Sequence, residues 1–319
     1  MPDQLLVFEA SAAGARLAVC SVPQLAREAA GRHALAPGSA AALAQALAGT
    51  LLLAASERRP AQARVDVQLE CGGPLKGLFT DADAGGAVRG LVRVSALDRD
   101  GQRVEAAVKE AAGGPLRRFD PRPVLASGLD ERAGMLSVLR GEPGLEGLHR
   151  AAFPFAGADL GAALTLFLRN ESAAGGEMAL DVLFRSGEPL AAVAGVLLWA
   201  SREDFADDLR AIGKPLRQKL LSEALLRVES GDAARLAEEI ARLLGLGSLQ
   251  LEREIRPRFA CRCSRERVVR ALATLASEEL RDMAARDGGA RASCDFCGES
   301  YGISAAELLQ LAGGEPARN

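Results

Sequence analysis

Phe259-Ala260-Cys261-Arg262-Cys263-Ser264 and Cys294-Asp295-Phe296-Cys297-Gly298 decide how this 319-residue chain is read. Four of its six cysteines fall in these two pairs. Four thiolates suit tetrahedral zinc, a borderline-soft ion with no geometric demand of its own. In Cys-x-x-Cys-Gly the turn aims both sulfurs at one ion, and the glycine tolerates the positive φ that the turn requires. A terminal domain this small has a thin core, and a metal can supply its folding free energy outright. Four reduced cysteines scattered through a core is the plainer alternative; the paired spacing argues against it. Residues 257–319 are therefore expected to form a small C-terminal zinc-binding domain. Cys261, Cys263, Cys294 and Cys297 would hold one Zn(2+) per chain in the reduced state.

Helix signals surround the two pairs. Ser264 is an N-cap for a helix over 265–275, Ser277-Glu278-Glu279 starts another that Gly288-Gly289 ends, and Ser304-Ala305-Ala306-Glu307 is a capping box that opens a last helix stopping at Gly313-Gly314. Upstream, from Ser201 to about Arg256, charges of both signs become dense and strand signals vanish. Ser201-Arg202-Glu203-Asp204 has the form of a capping box. Gly213-Lys214-Pro215 punctuates, and Pro215 suits the first turn of a second helix with Leu216, Leu220, Leu221, Leu225 and Val228 on one face. After Gly231, Asp232 can cap a third helix whose apolar stripe is Leu236, Ile240, Leu243 and Leu244. Such narrow stripes do not make a domain alone, so residues 201–256 read as a helical linker that docks on something else.

Residues 1–200 read as a mixed α/β domain. Ala63 to Leu69 alternates apolar and polar residues at period two, as a half-buried strand does. Strand character resumes at Leu75 to Phe79 and Ala87 to Val94. A hairpin is expected from 178–184 and 190–200 around Ser186-Gly187-Glu188-Pro189. Ala-rich helices are expected at 23–30, 39–55 and 160–168. Gly- and Pro-rich stretches near 113–123 and 141–147 read as surface loops. The expected fold class is α+β: an N-terminal mixed α/β domain (1–200), the helical linker (201–256) and the zinc domain (257–319).

Composition excludes several functions. Thirty-nine Lys+Arg against 42 Asp+Glu gives a net charge of -3, and one Trp and one Tyr leave little for base stacking, so nucleic acid is disfavoured as a partner. His33 and His149 are the sequence's two histidines, which rules out His-rich metal sites and leaves few catalytic triads. His149 lies in a loop-like stretch and reads as a surface or packing residue. Neither a Gly-x-x-x-x-Gly-Lys phosphate loop nor a Gly-x-Ser-x-Gly elbow occurs, so no nucleotide is expected and the chain reads as a non-enzyme. Ala40 to Ala55 is apolar but interrupted, and reads as a buried helix rather than a membrane span. With no secretory signal at the N-terminus, a cytoplasmic location is expected, where cysteine clusters serve metal or redox roles. Cys20 reads as a small core residue, and Cys71, beside a Gly-Gly-Pro turn, as partly exposed.

The Cys-x-Cys half-site departs from an ordinary zinc ribbon. Two thiolates one residue apart repel each other once a metal leaves, and Arg256, Arg258, Arg262, Arg265 and Arg267 lie around them in sequence. Positive charge favours thiolate over thiol and raises both zinc affinity and reactivity toward oxidants. The same arginines would balance the charge of a zinc tetrathiolate. This spacing points to a redox switch.

At these residues the sequence resembles the 33-kilodalton heat-shock protein family of redox-regulated holdase chaperones. Phe259 to Arg267 is similar to the family's first zinc half-site, and Cys294 to Gly298 followed by Tyr301 to its second. Val67-Gln68-Leu69, Gly73-Pro74-Leu75 and Val88-Arg89-Gly90 resemble its sheet segments, while Phe167 to Ser172 is a loose match and 115–160 a poor one. The resemblance implies Cys261–Cys263 and Cys294–Cys297 as redox disulfides. The first would close a very small ring, and strained disulfides are the labile kind. It also implies zinc loss on oxidation, melting of the linker and ATP-independent binding of unfolding client proteins, with an oxidised homodimer among the assemblies it allows. The competing reading is a zinc-stabilised module that contacts RNA or a protein and never releases its metal. A thiol–disulfide oxidoreductase using Cys294 and Cys297 is weaker, since no βαβ unit carries that motif.

Overall fold

A computed structural model describes residues 2–56, 60–104, 115–126, 134–141, 149–155, 159–171, 175–201, 206–228 and 231–313. It mixes helices and sheets, an α+β fold, and divides into two compact units, Met1–Ala260 and Cys261–Asn319.

The first unit opens with the hairpin β1 (Gln4–Ala10) and β2 (Ala15–Ser21), then α1 (Pro23–Arg32) and α2 (Pro37–Ala55), each with proline in its first turn, where a missing N–H costs nothing. The meander β3 (Arg64–Glu70), β4 (Gly77–Asp83) and β5 (Ala87–Val92) follows. After it come β6 (Arg117–Arg118), the turn α3 (Arg122–Leu125), β7 (Gly134–Gly141), β8 (His149–Phe155) and α4 (Leu160–Glu171). The expected hairpin is β9 (Glu177–Arg185) and β10 (Glu188–Ala200), with Gly187 at φ 77° in its turn. Two six-stranded sheets result, a first one in which β1, β2, β10 and β9 adjoin, and a second in which β5, β4, β3, β7 and β8 adjoin.

Period-two alternation decides what each sheet face meets. Leu5, Val7, Ala18, Cys20 and Leu197 on the first sheet and Val65, Val67, Leu69 and Val138 on the second share one core with α2. That helix lies between the sheets and is buried along its length, so it is apolar all round for a packing reason. It is long and apolar enough to cross a membrane by composition, and every residue of that window is inside the protein. Cys71 belongs to the same core and is buried, a correction to its expected partial exposure: the turn that follows it folds inward.

The other face of the first sheet (Leu6, Phe8, Leu17, Val19, Val196, Leu198) is covered by the helices after Ser201. These are α5 (Ala206–Pro215), a π-helical turn (Leu216–Leu220), α6 (Leu221–Val228) and α7 (Ala233–Leu244). Leu216, Leu221, Leu225, Leu236 and Ile240 are buried there, so the expected apolar stripes are the docking faces. Asp232 caps α7 by accepting from the N–H groups of Ala234 (2.9 Å) and Arg235 (3.1 Å). Asp232→Ala is expected to cost about 1 kcal/mol of linker stability, read as an earlier urea transition by helix circular dichroism, with no change in metal content.

Further expectations are corrected in this unit. Pro215 does not open a second helix. It closes α5 in helical geometry, and the turn after it widens, with the Leu221 N–H reaching the Leu216 carbonyl, so the proline's missing donor is absorbed without a break. Strand character also returns before Arg256: β11 (Gln250–Ile255) pairs antiparallel with β1 and extends the first sheet. It was hidden because Glu252, Arg253 and Glu254 put three charges in a row on an edge strand, which breaks the period-two pattern. The stretch 115–123 is not a plain surface loop, since β6 pairs with β9, and Phe119 is buried among core residues. His149 is not in a loop either: it heads β8, paired with Arg140 of β7, and its exposed ring pairs with Glu171. Residues 202–205 of the capping box, 113–114 and 142–147 of the loops, and Ser172 lie outside the described residues.

Candidate metal centre

The two cysteine pairs reach one place from two kinds of backbone. Cys261 and Cys263 follow β12 (Arg258–Phe259), and Ser264 then caps α8 (Arg265–Leu272) by accepting from the Arg267 N–H. After α9 (Ser277–Asp287), closed by left-handed Gly288, the chain forms the hairpin β13 (Gly289–Ser293) and β14 (Ser300–Ser304), in register Ser293 to Ser300. Cys294 and Cys297 sit in its tip. The Cys297 and Gly298 N–H groups both donate to the Cys294 carbonyl (3.3 and 2.8 Å), and Gly298 has φ 74°, the knuckle geometry that its glycine foretold. The capping box at Ser304 is realised: the Ser304 N–H donates to Glu307 Oε2 (2.9 Å) and the Glu307 N–H to Ser304 Oγ (3.4 Å), opening α10 (Ala305–Gly313).

All four sulfurs lie within 4.8 Å of one another, with Cys261 Sγ 3.6 Å from Cys294 Sγ and Cys263 Sγ 3.3 Å from Cys297 Sγ. Zinc–sulfur bonds of about 2.3 Å in a tetrahedron would place sulfurs about 3.8 Å apart. The cluster is close to that spacing before any ion is considered, and its all-thiolate donor set suits a soft or borderline ion and not calcium or magnesium. It could hold a metal ion. Burial raises the Cys294 thiol and pushes that of Cys297 up to about 12, so a metal entering the site must displace protons.

The surroundings hold a residue whose role sequence reading missed. Tyr301 donates its hydroxyl to Cys263 Sγ (3.1 Å), and that bond raises the phenol's own pKa. A donor to a ligand sulfur stabilises the thiolate and orients it. The signal was present: Tyr301 is the chain's one tyrosine, four residues past Cys297. The flanking arginines have structural work as well. Arg265 pairs with Glu307 at 2.5 Å, Arg267 donates to the Arg262 carbonyl at 2.9 Å and Arg258 to that of Gly85 at 3.3 Å.

A two-sheet unit whose outer face is roofed by helices, followed in sequence by a four-thiol unit, defines the class: an α+β protein with a C-terminal cysteine centre. The chain belongs to the Hsp33 protein family, whose sequence model matches residues 3–304. It is 32% identical over 312 residues to the 33 kDa chaperonin of Cyanothece sp., covering 98% of this chain and 97% of that one. It is 31% identical over 306 residues to the 33 kDa chaperonin of Thermus thermophilus, covering 93% and 82%. The crystal structure of the 33 kDa chaperonin from Thermotoga maritima has the same fold, with TM-score 0.68 at 20% identity over 97% of both chains.

Proposed function

We propose that this chain is a redox-regulated, ATP-independent holdase chaperone of the cytoplasm. What carries the reading is the gathering of four thiols within 4.8 Å of one another in a unit of their own. Its relatives' name, chaperonin, supports the general class. In the reduced protein Cys261, Cys263, Cys294 and Cys297 hold one zinc, and residues 201–256 stay docked on the first sheet. Each hydrogen peroxide takes two electrons from one thiol pair and leaves a disulfide and two waters. Cys261–Cys263 and Cys294–Cys297 are the pairs, and the ion leaves when its thiolates are spent. The 257–319 domain then loses its staple, the linker melts, and the apolar face beneath it binds unfolding proteins.

Purified reduced protein is expected to contain about one zinc per chain, by the four-thiolate argument. Peroxide with mild heat should release that zinc and create suppression of client aggregation, followed by light scattering; reductant should reverse both. Zinc retained through oxidation, with no gain in suppression, would leave the chain a zinc-stabilised interaction module instead.

A further inference from the structure

The sheet face under the linker is not uniformly apolar. Glu177 and Asp181 lie on β9 on the same side as Ala179 and Leu183, which pack against the linker helices. Their side chains are 1% and 0% exposed. Carboxylates buried so deeply need partners, and here the partners are of two kinds.

One kind belongs to the body of the unit. Arg169 of α4 donates through Nε to Glu177 Oε1 (2.8 Å), and Arg118 of β6 approaches Asp181 Oδ2 at 2.9 Å. The other kind belongs to the linker. Arg217 Nη1 donates to Glu177 Oε2 (2.7 Å), and the Ser222 hydroxyl donates to Asp181 Oδ2. Arg118 also spends its Nη1 and Nη2 on linker main chain, the carbonyls of Gln218 (2.7 Å) and Arg217 (2.6 Å). A cavity of about 500 Å³ opens beside this fork, lined by Gln45, Arg118, Leu180, Arg217 and Gln218 among others.

When the linker leaves, the body partners stay and the linker partners go. Glu177 keeps Arg169 on one oxygen and loses the cation on the other. Arg118 keeps Asp181 and loses two carbonyls. What is uncovered among the leucines is thus a fork that takes main-chain carbonyls from any sequence, next to an acceptor shaped for a cation.

We propose that Arg118, Glu177 and the apolar residues around them form a binding site for client segments that carry a basic side chain among apolar ones. Arg118 holds the client's main chain, and Glu177 takes its cation where Arg217 sits in the closed protein. The linker is the resident copy of the ligand. This inference rests on the linker-release reading above.

The test uses oxidised full-length protein and short labelled peptides that differ at one central position, Arg, norleucine or Glu, in an otherwise apolar host, with binding followed by fluorescence anisotropy. The Arg peptide is expected to bind about tenfold more tightly than the Glu peptide and measurably more tightly than the norleucine peptide. Glu177→Gln should bring the Arg peptide down to the affinity of the norleucine peptide, and Arg118→Met should weaken all three alike. Circular dichroism checks both variants, and the wild-type comparison decides the matter without them. Equal binding of Arg and norleucine peptides, or a preference that survives Glu177→Gln, overturns the proposal while leaving the chaperone reading intact. Oxidised protein that binds neither peptides nor aggregating client overturns the chaperone reading itself.

Discussion

Cys297→Ser is expected to unfold residues 261–313 while residues 4–56 and 64–104 keep their native structure. Among the described residues, the buried apolar core of the second unit consists of Leu280, Ala284, Ile303, Leu308 and Ala312. Helix α8 adds no fully buried residue; its Val268, Val269 and Leu272 pack half-buried against this core. So little apolar burial does not offset the conformational entropy of ordering the unit. Under the zinc reading proposed above, the remaining stabilisation comes from the metal, since zinc binding in small cysteine-ligated modules is worth about 10–16 kcal/mol near neutral pH. Removing one thiolate leaves an open coordination position and a ligand set that no longer matches the ion. Hydrogen exchange mapped by peptide is the measurement: protection should collapse across α9, β13, β14 and α10, and a chelator should do the same to the wild type. Cys20→Ser and Cys71→Ser are the controls. Both residues lie in the core of the first unit, so either change should lower that unit's stability and leave zinc content unaltered. Persistent protection of 277–313 in metal-free protein would mean that the hairpin and helices stand without the ion.

Much of this was legible because the signals are local. The knuckle glycine, the caps at Ser264 and Asp232 and the capping box at Ser304 each describe a few residues of backbone, and each occurs where its side chain can reach an unpaired N–H. The apolar run of α2 was equally plain, since burial on every side leaves no polar stripe. What was hidden depends on distant partners. Glu177 and Asp181 look like ordinary strand charges until Arg217 and Ser222 arrive from 40 and 41 residues away. Tyr301 gains its role only when the hairpin brings it to Cys263, 38 residues earlier. The β11 strand was masked by its own charges, because Glu252, Arg253 and Glu254 in a row erase the alternation that betrays β3. The two-part arrangement of thiols could be read from spacing, but the way the linker is held could not.

That attachment makes Gly213→Ala the second large expected effect: the reduced protein should suppress client aggregation with its zinc still bound. Gly213 is buried on α5 against Glu177. A methyl group there would stand 1.8 Å from Glu177 Oε2 and 2.3 Å from its Cδ. A free glutamate could swing away at little cost. This one is held by Arg169 on one oxygen and Arg217 on the other, with its side chain 1% exposed, so moving it breaks buried charge-assisted bonds. The alternative is for α5 to lift from the sheet, which pulls Leu209 and Leu216 out of the apolar seam. Either route costs about 3 kcal/mol, the usual range for disrupting a buried ion pair. Helix propensity pulls the other way by about 1 kcal/mol, since alanine is the better helix former, and it is the smaller effect. A net cost of about 2 kcal/mol shifts the closed-to-open ratio of the linker some thirtyfold. The neighbouring exposed Lys214 provides the control, since Lys214→Ala touches neither carboxylate. The measurement joins three readouts on reduced protein: zinc content, protease cleavage within 206–244, and light scattering of a heated client. Cleavage and suppression should rise together in Gly213→Ala while zinc stays at the wild-type level. If the variant stays closed and inactive, the seam tolerates the methyl group and Glu177 is not the fixed point around which the linker is held. If it opens but fails to suppress aggregation, the face beneath the linker is not where clients bind.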